Sequence, residues 1–260
     1  MFRILIVEDD TELCQLFSHV LEKNGYHTRM VSNGQEALDA LAEEYVDLII
    51  SDIMMPEMRG DELCHVLKND IETSHIPIIL LTALNNDRNI IEGLKTGADE
   101  YIVKPFNIGI LRATISNILT NRSLLRHKYA NLELNDDEDA TTCTNCSTDL
   151  DWKFISSVKK HVEENMDNGA LNVEMLCSLL NMSRTSFYNK IKALTDQAPA
   201  DYIRLIRLKR AAQLLEEGHT VAEVADRVGF STSSYLSKCF QEEFGMRPLQ
   251  YVNSLKEQPK

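Results

Sequence analysis

The stretch DLIISDIMMPEMRG, residues 47–60, decides the fold of the first half of this chain. Its opening residues are apolar on both faces of a strand, which is typical of a parallel sheet covered by helices. The strand ends in a carboxylate, Asp52, and a segment with three methionines follows. Because doubly wound sheets bind ligands beyond the carboxyl ends of their strands, Asp52 predicts a functional site at that sheet edge.

Short apolar runs and amphipathic segments alternate around this stretch. The segments at 12–25 and 34–45 have helical spacing, and Gly25 closes the first of them. Strands are predicted at 2–7, 27–31, 47–52, 76–83 and 100–106. Five strands that alternate with helices predict an α/β fold, a doubly wound parallel sheet in residues 1–122.

Charged and polar side chains occupy the ends of the other strands. Glu8 and Asp9 end the first strand, so three carboxylates converge if the strand order reverses between the first and third strands. Hard oxygen ligands at close range favour Mg²⁺, and a carboxylate beside that ion can attack phosphorus. Thr82 and Lys104 end the fourth and fifth strands, where they could contact phosphoryl oxygens.

Four motifs in order, ILIVEDD (4–10), SDIMMPEMRG (51–60), LTA (81–83) and YIVKPF (101–106), resemble a CheY-like receiver domain of response regulators. The resemblance implies the strand order 2-1-3-4-5. It implies that a histidine kinase phosphorylates Asp52 with Mg²⁺ as cofactor. The acidic pair is Glu-Asp here rather than Asp-Asp, a departure that should preserve metal binding.

The same resemblance assigns the remaining positions of the pocket. Glu8, Asp9 and Asp52 would hold the ion with the backbone carbonyl of Met54. Thr82 and Lys104 would be the phosphate-sensing pair and Tyr101 the rotating switch, and Lys104–Pro105 would be a cis peptide bond. Two alternatives remain: the acids form a solvated face among ordinary core methionines, or the domain keeps the receiver fold without phosphorylation.

Charge is unevenly distributed along the chain, whose net charge is −13. Residues 1–122 carry 10 Lys+Arg against 20 Asp+Glu, and residues 151–260 carry 15 against 14. Residues 184–210 alone contain seven basic side chains and two acidic ones. An acidic half and a locally basic half predict two modules with different partners.

Residues 123–150 are predicted to be an acidic flexible linker, because 135–149 is polar and nearly free of large apolar side chains. The linker contains a CxxC pair, Cys143 and Cys146, which is either a zinc site or two reduced thiols. Scattered cysteines, no signal peptide and no membrane-length apolar run predict a cytoplasmic chain.

Residues 151–260 have helical patterns only and contain an internal repeat. At an offset of 48 residues, 173–183 matches 221–231, and after a one-residue slip Pro199 matches Pro248. Asn181 and Gly229 suit a tight turn between two helices. The repeat predicts two helix-turn-helix motifs, with second helices at 183–194 and 231–244 capped by Ser183 and Ser231. One long helix at 199–218 joins them.

This half resembles the AraC-type DNA-binding domain through IRLIRLKRAAQLL (203–215), VAEVADRVGFSTSSYLSKCFQEEFG (221–245) and RPLQY (247–251). The resemblance implies that each second helix lies in a major groove. The implied base-facing residues are Thr185, Tyr188 and Asn189 in the first reader helix and Ser234, Tyr235 and Lys238 in the second. The implied phosphate contacts are Arg184, Lys190, Arg204 and Arg207, although Arg204 and Arg207 could instead brace the central helix. Core positions are predicted at Phe187, Ile191, Leu205, Leu208, Phe230 and Phe240.

The composite resembles the output segment of hybrid two-component regulators. It predicts a phosphorylation-controlled transcription factor whose partners are a histidine kinase, a double-stranded DNA operator, RNA polymerase and a second copy of the chain. The alternatives are a phosphorelay or scaffold protein, and a constitutive DNA binder with a silent receiver. No motif of a stand-alone enzyme occurs, since the predicted chemistry acts on the chain itself.

Overall fold

The structure, a computed structural model, describes residues 1–83, 97–130 and 148–257. The chain divides into two compact units, one of which includes residues 1–127 and the other residues 152–260. The predicted boundaries 1–122, 123–150 and 151–260 stay predictions. Cys143 and Cys146 lie outside the described residues.

The first unit is a five-stranded sheet in which every pairing is parallel. The strand order β2-β1-β3-β4-β5 confirms the predicted doubly wound sheet. Its elements are β1 Arg3–Val7, α1 Thr11–Lys23, β2 His27–Val31, α2 Gly34–Glu43, β3 Leu48–Asp52, α3 Gly60–Asn69, β4 Ile78–Thr82, β5 Glu100–Val103 and α4 Ile108–Ala130.

Helices cover both faces of this sheet. Alternate residues of the buried strands point to opposite sides, so both faces are apolar and helices pack on each of them. Leu5 and Ile49 pack with α2 and α3 on one face. Ile4 and Ile50 pack with α1 and α4 on the other. The two apolar layers hold the strand ends in a fixed arrangement, and α4 continues to Ala130, past the predicted end of the domain.

The second unit is helical. Its elements are α5 Asp149–Glu164, α6 Val173–Leu179, α7 Arg184–Thr195, α8 Pro199–Glu216, α9 Val221–Arg227, α10 Ser233–Phe244 and α11 Pro248–Glu257. The six predicted core residues, from Phe187 to Phe240, are all buried. The predicted all-α domain with two helix-turn-helix motifs, α6–α7 and α9–α10 around the central helix α8, is confirmed.

Two further features concern the described residues only. None of their helices combines the length and the apolar character that a membrane span requires. Cys14, Cys64, Cys177 and Cys239 are buried and form no disulfide there.

Candidate functional site

Three carboxylates meet at the carboxyl edge of the sheet. Glu8 and Asp9 follow β1, and Asp52 ends the neighbouring strand β3. One ligand oxygen from each lies within 4.8 Å of the others. Glu8 is only 4% exposed, whereas Asp9 is on the surface. The cluster provides oxygen ligands alone and carries excess negative charge, which is the donor chemistry that suits Mg²⁺.

Lys104, directly after β5, provides the cation of this pocket. Its Nζ donates to Glu8 Oε2 at 2.9 Å and to Asp52 Oδ2 at 2.8 Å. Burial raises the pKa of Glu8, and the hydrogen bond from Lys104 only partly offsets that effect. Burial acts to lower the pKa of Lys104, but its bonds to Asp52 and Glu8 outweigh burial and raise that pKa. The ammonium therefore stays charged between the two carboxylates.

The segment after Asp52 fixes its carboxylate. Asp52 Oδ1 accepts the backbone N–H of Ile53 at 2.7 Å and that of Met54 at 3.4 Å. Ile53 and Met55 are buried, which agrees with an apolar segment that packs the loop. Met54 differs, because its side chain is 55% exposed and its sulfur accepts from Arg59 Nη1 at 3.4 Å.

Gly60 also belongs to this site, although the sequence motifs predicted no role for it. A Cβ atom at residue 60 would overlap the carbonyl oxygen of Asp52. The Gly60 N–H donates to the Ile53 carbonyl at 3.1 Å, so the start of α3 closes directly over the end of β3. A glycine eight residues after the strand-end aspartate was the available signal.

Thr82 and Tyr101 lie on the two strands beyond β3. Thr82 ends β4, where the preceding residue pairs with Asp52, and its side chain is buried. Tyr101 in β5 is half-buried and packs against the α2–α3 face of the core. The Lys104–Pro105 peptide bond is cis, which confirms that prediction. The predicted roles of Thr82, Tyr101 and the Met54 carbonyl stay predictions.

The two helix-turn-helix motifs repeat the same backbone contacts. The Met182 N–H donates to the Cys177 carbonyl at 3.0 Å in the first, and the Phe230 N–H donates to the Ala225 carbonyl at 2.9 Å in the second. Asn181 and Gly229 have positive φ, at 52° and 70°, as predicted for the two turns. A Cβ at residue 229 would also lie 2.6 Å from the carbonyl oxygen of Met166, so only glycine fits there.

The second reader helix begins one residue later than predicted. Thr232, not Ser231, is its N-cap, since the Thr232 hydroxyl accepts the Tyr235 N–H at 3.1 Å. Ser183 caps the first reader as predicted. The caps are therefore 49 residues apart although the turns are 48 apart, and the one-residue slip of the repeat lies between turn and helix.

Most of the predicted DNA-facing side chains lie on the surface of the reader helices α7 and α10. Arg184 pairs with Glu174 at 3.0 Å on that surface, and Asn189 is half-buried. The exposed members of the set are Arg184, Thr185, Tyr188, Ser234, Tyr235 and Lys238. Exposure is necessary for base or phosphate contact, and their contact with DNA stays a prediction.

Lys190 does not fit the phosphate contact predicted for it. Its side chain is 0% exposed, and its Nζ lies 5.2 Å from the centroid of the Phe154 ring. It follows Phe187 by three residues and precedes Ile191, so it lies on the buried face of α7. The ammonium lies in the core, where it makes a cation–π contact with Phe154, and it does not reach the surface.

Arg204 and Arg207 were each predicted either to contact phosphate or to brace the central helix. The structure gives them different roles. Arg207 Nη2 donates to the Asn168 carbonyl at 3.0 Å and its Nη1 to the Gly229 carbonyl at 3.4 Å, which is the bracing arrangement. Arg204 pairs with Asp201 at 2.7 Å, and its partly exposed guanidinium remains a candidate for phosphate contact.

Comparison with protein families gives two matches along the chain. The response regulator receiver domain matches residues 4–116, and a helix-turn-helix domain matches residues 176–254.

Individual relatives cover most of the chain. Histidine kinase P4 of Formosa agariphila is 43% identical over 256 residues, which are 98% of this chain but 18% of that protein. The DNA-binding response regulator MtrA of Mycobacterium tuberculosis is 35% identical over 237 residues, which are 88% of this chain and 95% of MtrA. Among solved structures, a receiver domain of a histidine kinase from Syntrophus aciditrophicus is 41% identical, covers 46% of this chain and 92% of its own, and has a TM-score of 0.45.

Proposed function

This chain belongs to the family of DNA-binding response regulators, and we propose that a histidine kinase switches its DNA binding by phosphorylating Asp52. A receiver joined to a helix-turn-helix domain is a two-component transcription regulator, and neither domain is a classical enzyme. The observation that carries the proposal is the Asp52 carboxylate, which has two further acids within 4.8 Å and the Lys104 ammonium at 2.8 Å.

Glu8, Asp9 and Asp52 would hold Mg²⁺, with the Met54 carbonyl as a further ligand. The bound ion supplies neutralisation of the negative charge on the phosphoryl oxygens. In the transfer itself, an Asp52 carboxylate oxygen attacks phosphorus, and the phosphorus–nitrogen bond of a phosphohistidine breaks with its electron pair left on the imidazole. The amide N–H groups of Ile53 and Met54 keep the carboxylate oriented for that attack.

Lys104 and Thr82 then take the charge of the new phosphoryl group. The ammonium already lies against Asp52 Oδ2, so it needs no large movement to pair with phosphoryl oxygens. Thr82 would donate its hydroxyl, and Tyr101, on the neighbouring strand, would change its position in response. These are local electrostatic changes of the kind that bias a two-state element.

The output is sequence-specific binding to double-stranded DNA. Dimerisation of phosphorylated receivers would bring two helical units to adjacent half-sites, which multiplies affinity through effective concentration. RNA polymerase is the proposed further partner. The proposed base and phosphate contacts are Arg184, Thr185, Tyr188, Asn189, Arg204, Ser234, Tyr235 and Lys238.

The donor kinase and this receiver would be parts of one longer polypeptide. The chain spans 18% of Histidine kinase P4, at 43% identity, and this similarity supports a hybrid arrangement in which kinase and regulator are joined.

Intact mass spectrometry after incubation with Mg²⁺ and acetyl phosphate tests the phosphoacceptor. The wild type should gain one phosphoryl group, Asp52→Asn should gain none, and Asp39→Asn, at an exposed position of α2, should match the wild type. An adduct on Asp52→Asn would contradict the assignment. DNA affinity measured before and after phosphorylation tests the switch, and equal affinities would contradict it.

A further inference from the structure

A cleft of about 450 Å³ lies between the two helix-turn-helix motifs. The start of α6 and the first residue of α7 form one wall, and the turn of the second motif together with the start of its reader helix α10 forms the other. The central helix α8 forms its floor. Volumes of roughly 300 to 1,000 Å³ are usual for small-molecule sites, so this cleft has room for a small ligand.

The polar lining of the cleft is cationic. Its lining includes three guanidinium groups, of Arg184, Arg204 and Arg207, and one carboxylate, of Glu174. Glu174 pairs with Arg184, and Arg204 pairs with Asp201. Three guanidinium groups around one concave surface favour an anion, because guanidinium binds carboxylate and phosphate through paired hydrogen bonds.

Arg207 retains hydrogen-bonding capacity at this place. Its two Nη atoms donate to backbone carbonyls, but its Nε is buried and makes no hydrogen bond within the described part of the chain. No carboxylate pairs with it among those residues. Arg207 therefore carries a positive charge at the edge of the cleft that no carboxylate of the described residues balances, and an anion that enters the cleft would neutralise it.

The rest of the lining is apolar or aromatic. Leu171, Ile203 and Phe230 are buried side chains that border the cleft, and Tyr235 stands beside Phe230 with ring centroids 5.6 Å apart. An inorganic anion would leave these surfaces uncovered. An occupant with an apolar body would cover the exposed ring of Tyr235 and the edges of these side chains that the cleft leaves open.

We propose that this cleft binds a small organic carboxylate with an apolar body, whose charged end meets Arg204 and Arg207 and whose body lies on Ile203 and Phe230. The ligand lowers the affinity of the helical unit for DNA. Arg184 and Tyr235 line the cleft and also belong to the proposed DNA contacts, so one occupant engages side chains that the other requires. Only this coupling depends on the proposed function, since ligand binding itself involves neither DNA nor phosphoryl transfer.

Calorimetric titration of the full chain with 4-phenylbutyrate, 4-phenylbutyramide and inorganic phosphate tests the class of ligand. The carboxylate should bind at least tenfold more tightly than the amide, and phosphate should not displace it at equal concentration. Three results would each overturn the proposal: equal binding of carboxylate and amide, no binding of the carboxylate, or displacement of the carboxylate by phosphate. Displacement by phosphate would mean that the cleft is a general phosphate-binding site.

Two matched pairs of variants test whether the ligand binds in this cleft. Ala200 and Ala222 are exposed and occupy the second position of α8 and of α9, but only Ala200 lines the cleft. Ala200→Trp should weaken phenylbutyrate binding at least tenfold and Ala222→Trp should not. Arg204→Gln should weaken it about tenfold, whereas Arg210→Gln, on the same helix outside the cleft, should not. Equal losses within either pair would overturn the location.

DNA binding with and without phenylbutyrate then tests the coupling. DNA affinity should fall as the cleft fills in the wild type and stay constant in Ala200→Trp. Ligand binding without any change in DNA affinity would overturn the coupling and leave the site. A chain that binds the ligand but no DNA would count against the proposed function alone.

Discussion

Lys104 and Lys190 are both predicted from the sequence to contact phosphate, and the structure gives them opposite surroundings. Lys104 lies between two carboxylates at the sheet edge, with Nζ–oxygen distances of 2.9 and 2.8 Å. Lys190 is buried against the Phe154 ring in the helical unit. A residue that follows a strand of a parallel sheet is placed at the ligand edge by topology, whereas the role of a helix residue depends on which face it occupies.

Reversing the charge of Lys190 should give the largest effect. Lys190→Glu places a carboxylate at a fully buried position and against an aromatic face, which should lower the free energy of unfolding by about 4 kcal/mol. Trp152, the only tryptophan of the chain, lies in α5 of the same unit, so urea unfolding followed by its fluorescence measures the change.

Lys238→Glu is the matched control, since Lys238 lies on the exposed face of the other reader helix. It should leave the unfolding midpoint unchanged and weaken DNA binding through lost phosphate or base contact. If Lys190→Glu behaved like Lys238→Glu, the two lysines would share a surface role and the comparison with Lys104 would fail.

A third lysine shows what a carboxylate partner does away from the pocket. Lys68 Nζ donates to Asp99 Oδ2 at 2.6 Å and to the Ile76 carbonyl at 2.9 Å, and Arg122 pairs with Asp99 Oδ1 at 3.2 Å. Asp99→Asn removes the charge that both cations share. It should destabilise the receiver unit by about 3 kcal/mol, measured by scanning calorimetry.

The loss from Asp99→Asn should also depend on pH. Burial acts to raise the pKa of Asp99, but Lys68 and Arg122 outweigh it and hold that pKa below its ordinary value. The carboxylate therefore stabilises the fold fully above the ordinary aspartate pKa, and the contribution is lost as the pH falls toward the lowered value. The gap between wild type and variant should shrink below about pH 4. A gap that stayed constant there would mean that the ion pairs do not cause it.

The sequence distinguishes the positions of Lys104 and Lys190 in the same way as the structure does. The strand ends at Glu8, Asp52 and Lys104 could be predicted, because apolar strands that alternate with helices indicate a parallel sheet. In such a sheet the carboxyl ends of the strands lie at one edge. Lys190 could also have been predicted, because Phe187, Ile191 and Leu194 mark the buried face of α7 and a long aliphatic stem can extend along it.

Other features could not be read from spacing. The overlap that a side chain at residue 60 would make with the Asp52 carbonyl depends on the path of the loop after β3, and no periodicity describes a loop. Among the described residues the buried Nε of Arg207 has no acceptor, and its Nη1 contacts the Gly229 carbonyl, a tertiary contact between segments 22 residues apart that no periodicity describes.

Removing the ammonium from the pocket should change metal affinity more modestly. Lys104 binds the Glu8 and Asp52 carboxylates that are proposed to hold Mg²⁺, so Lys104→Met should raise Mg²⁺ affinity about tenfold, or about 1.4 kcal/mol, in calorimetric titration. Lys23→Met, at the exposed end of α1, is the control and should not change it. An unaltered affinity in Lys104→Met would show that the ammonium leaves these carboxylates before the ion binds.

The smallest effect concerns where the second reader helix begins. Thr232→Ala removes the hydroxyl that accepts the Tyr235 N–H and should cost about 1 kcal/mol, while Ser231→Ala should cost almost nothing, both followed by Trp152 fluorescence. With Thr232 as cap, Ser234 and Lys238 occupy the helix positions that Thr185 and Asn189 hold in the first reader. If Ser231→Ala lowered stability more than Thr232→Ala, Ser231 would be the cap, and the equivalent positions of the two reader helices would shift by one residue. Helix phase decides whether a lysine meets DNA or core, so this cap determines which side chains of the two readers can be compared.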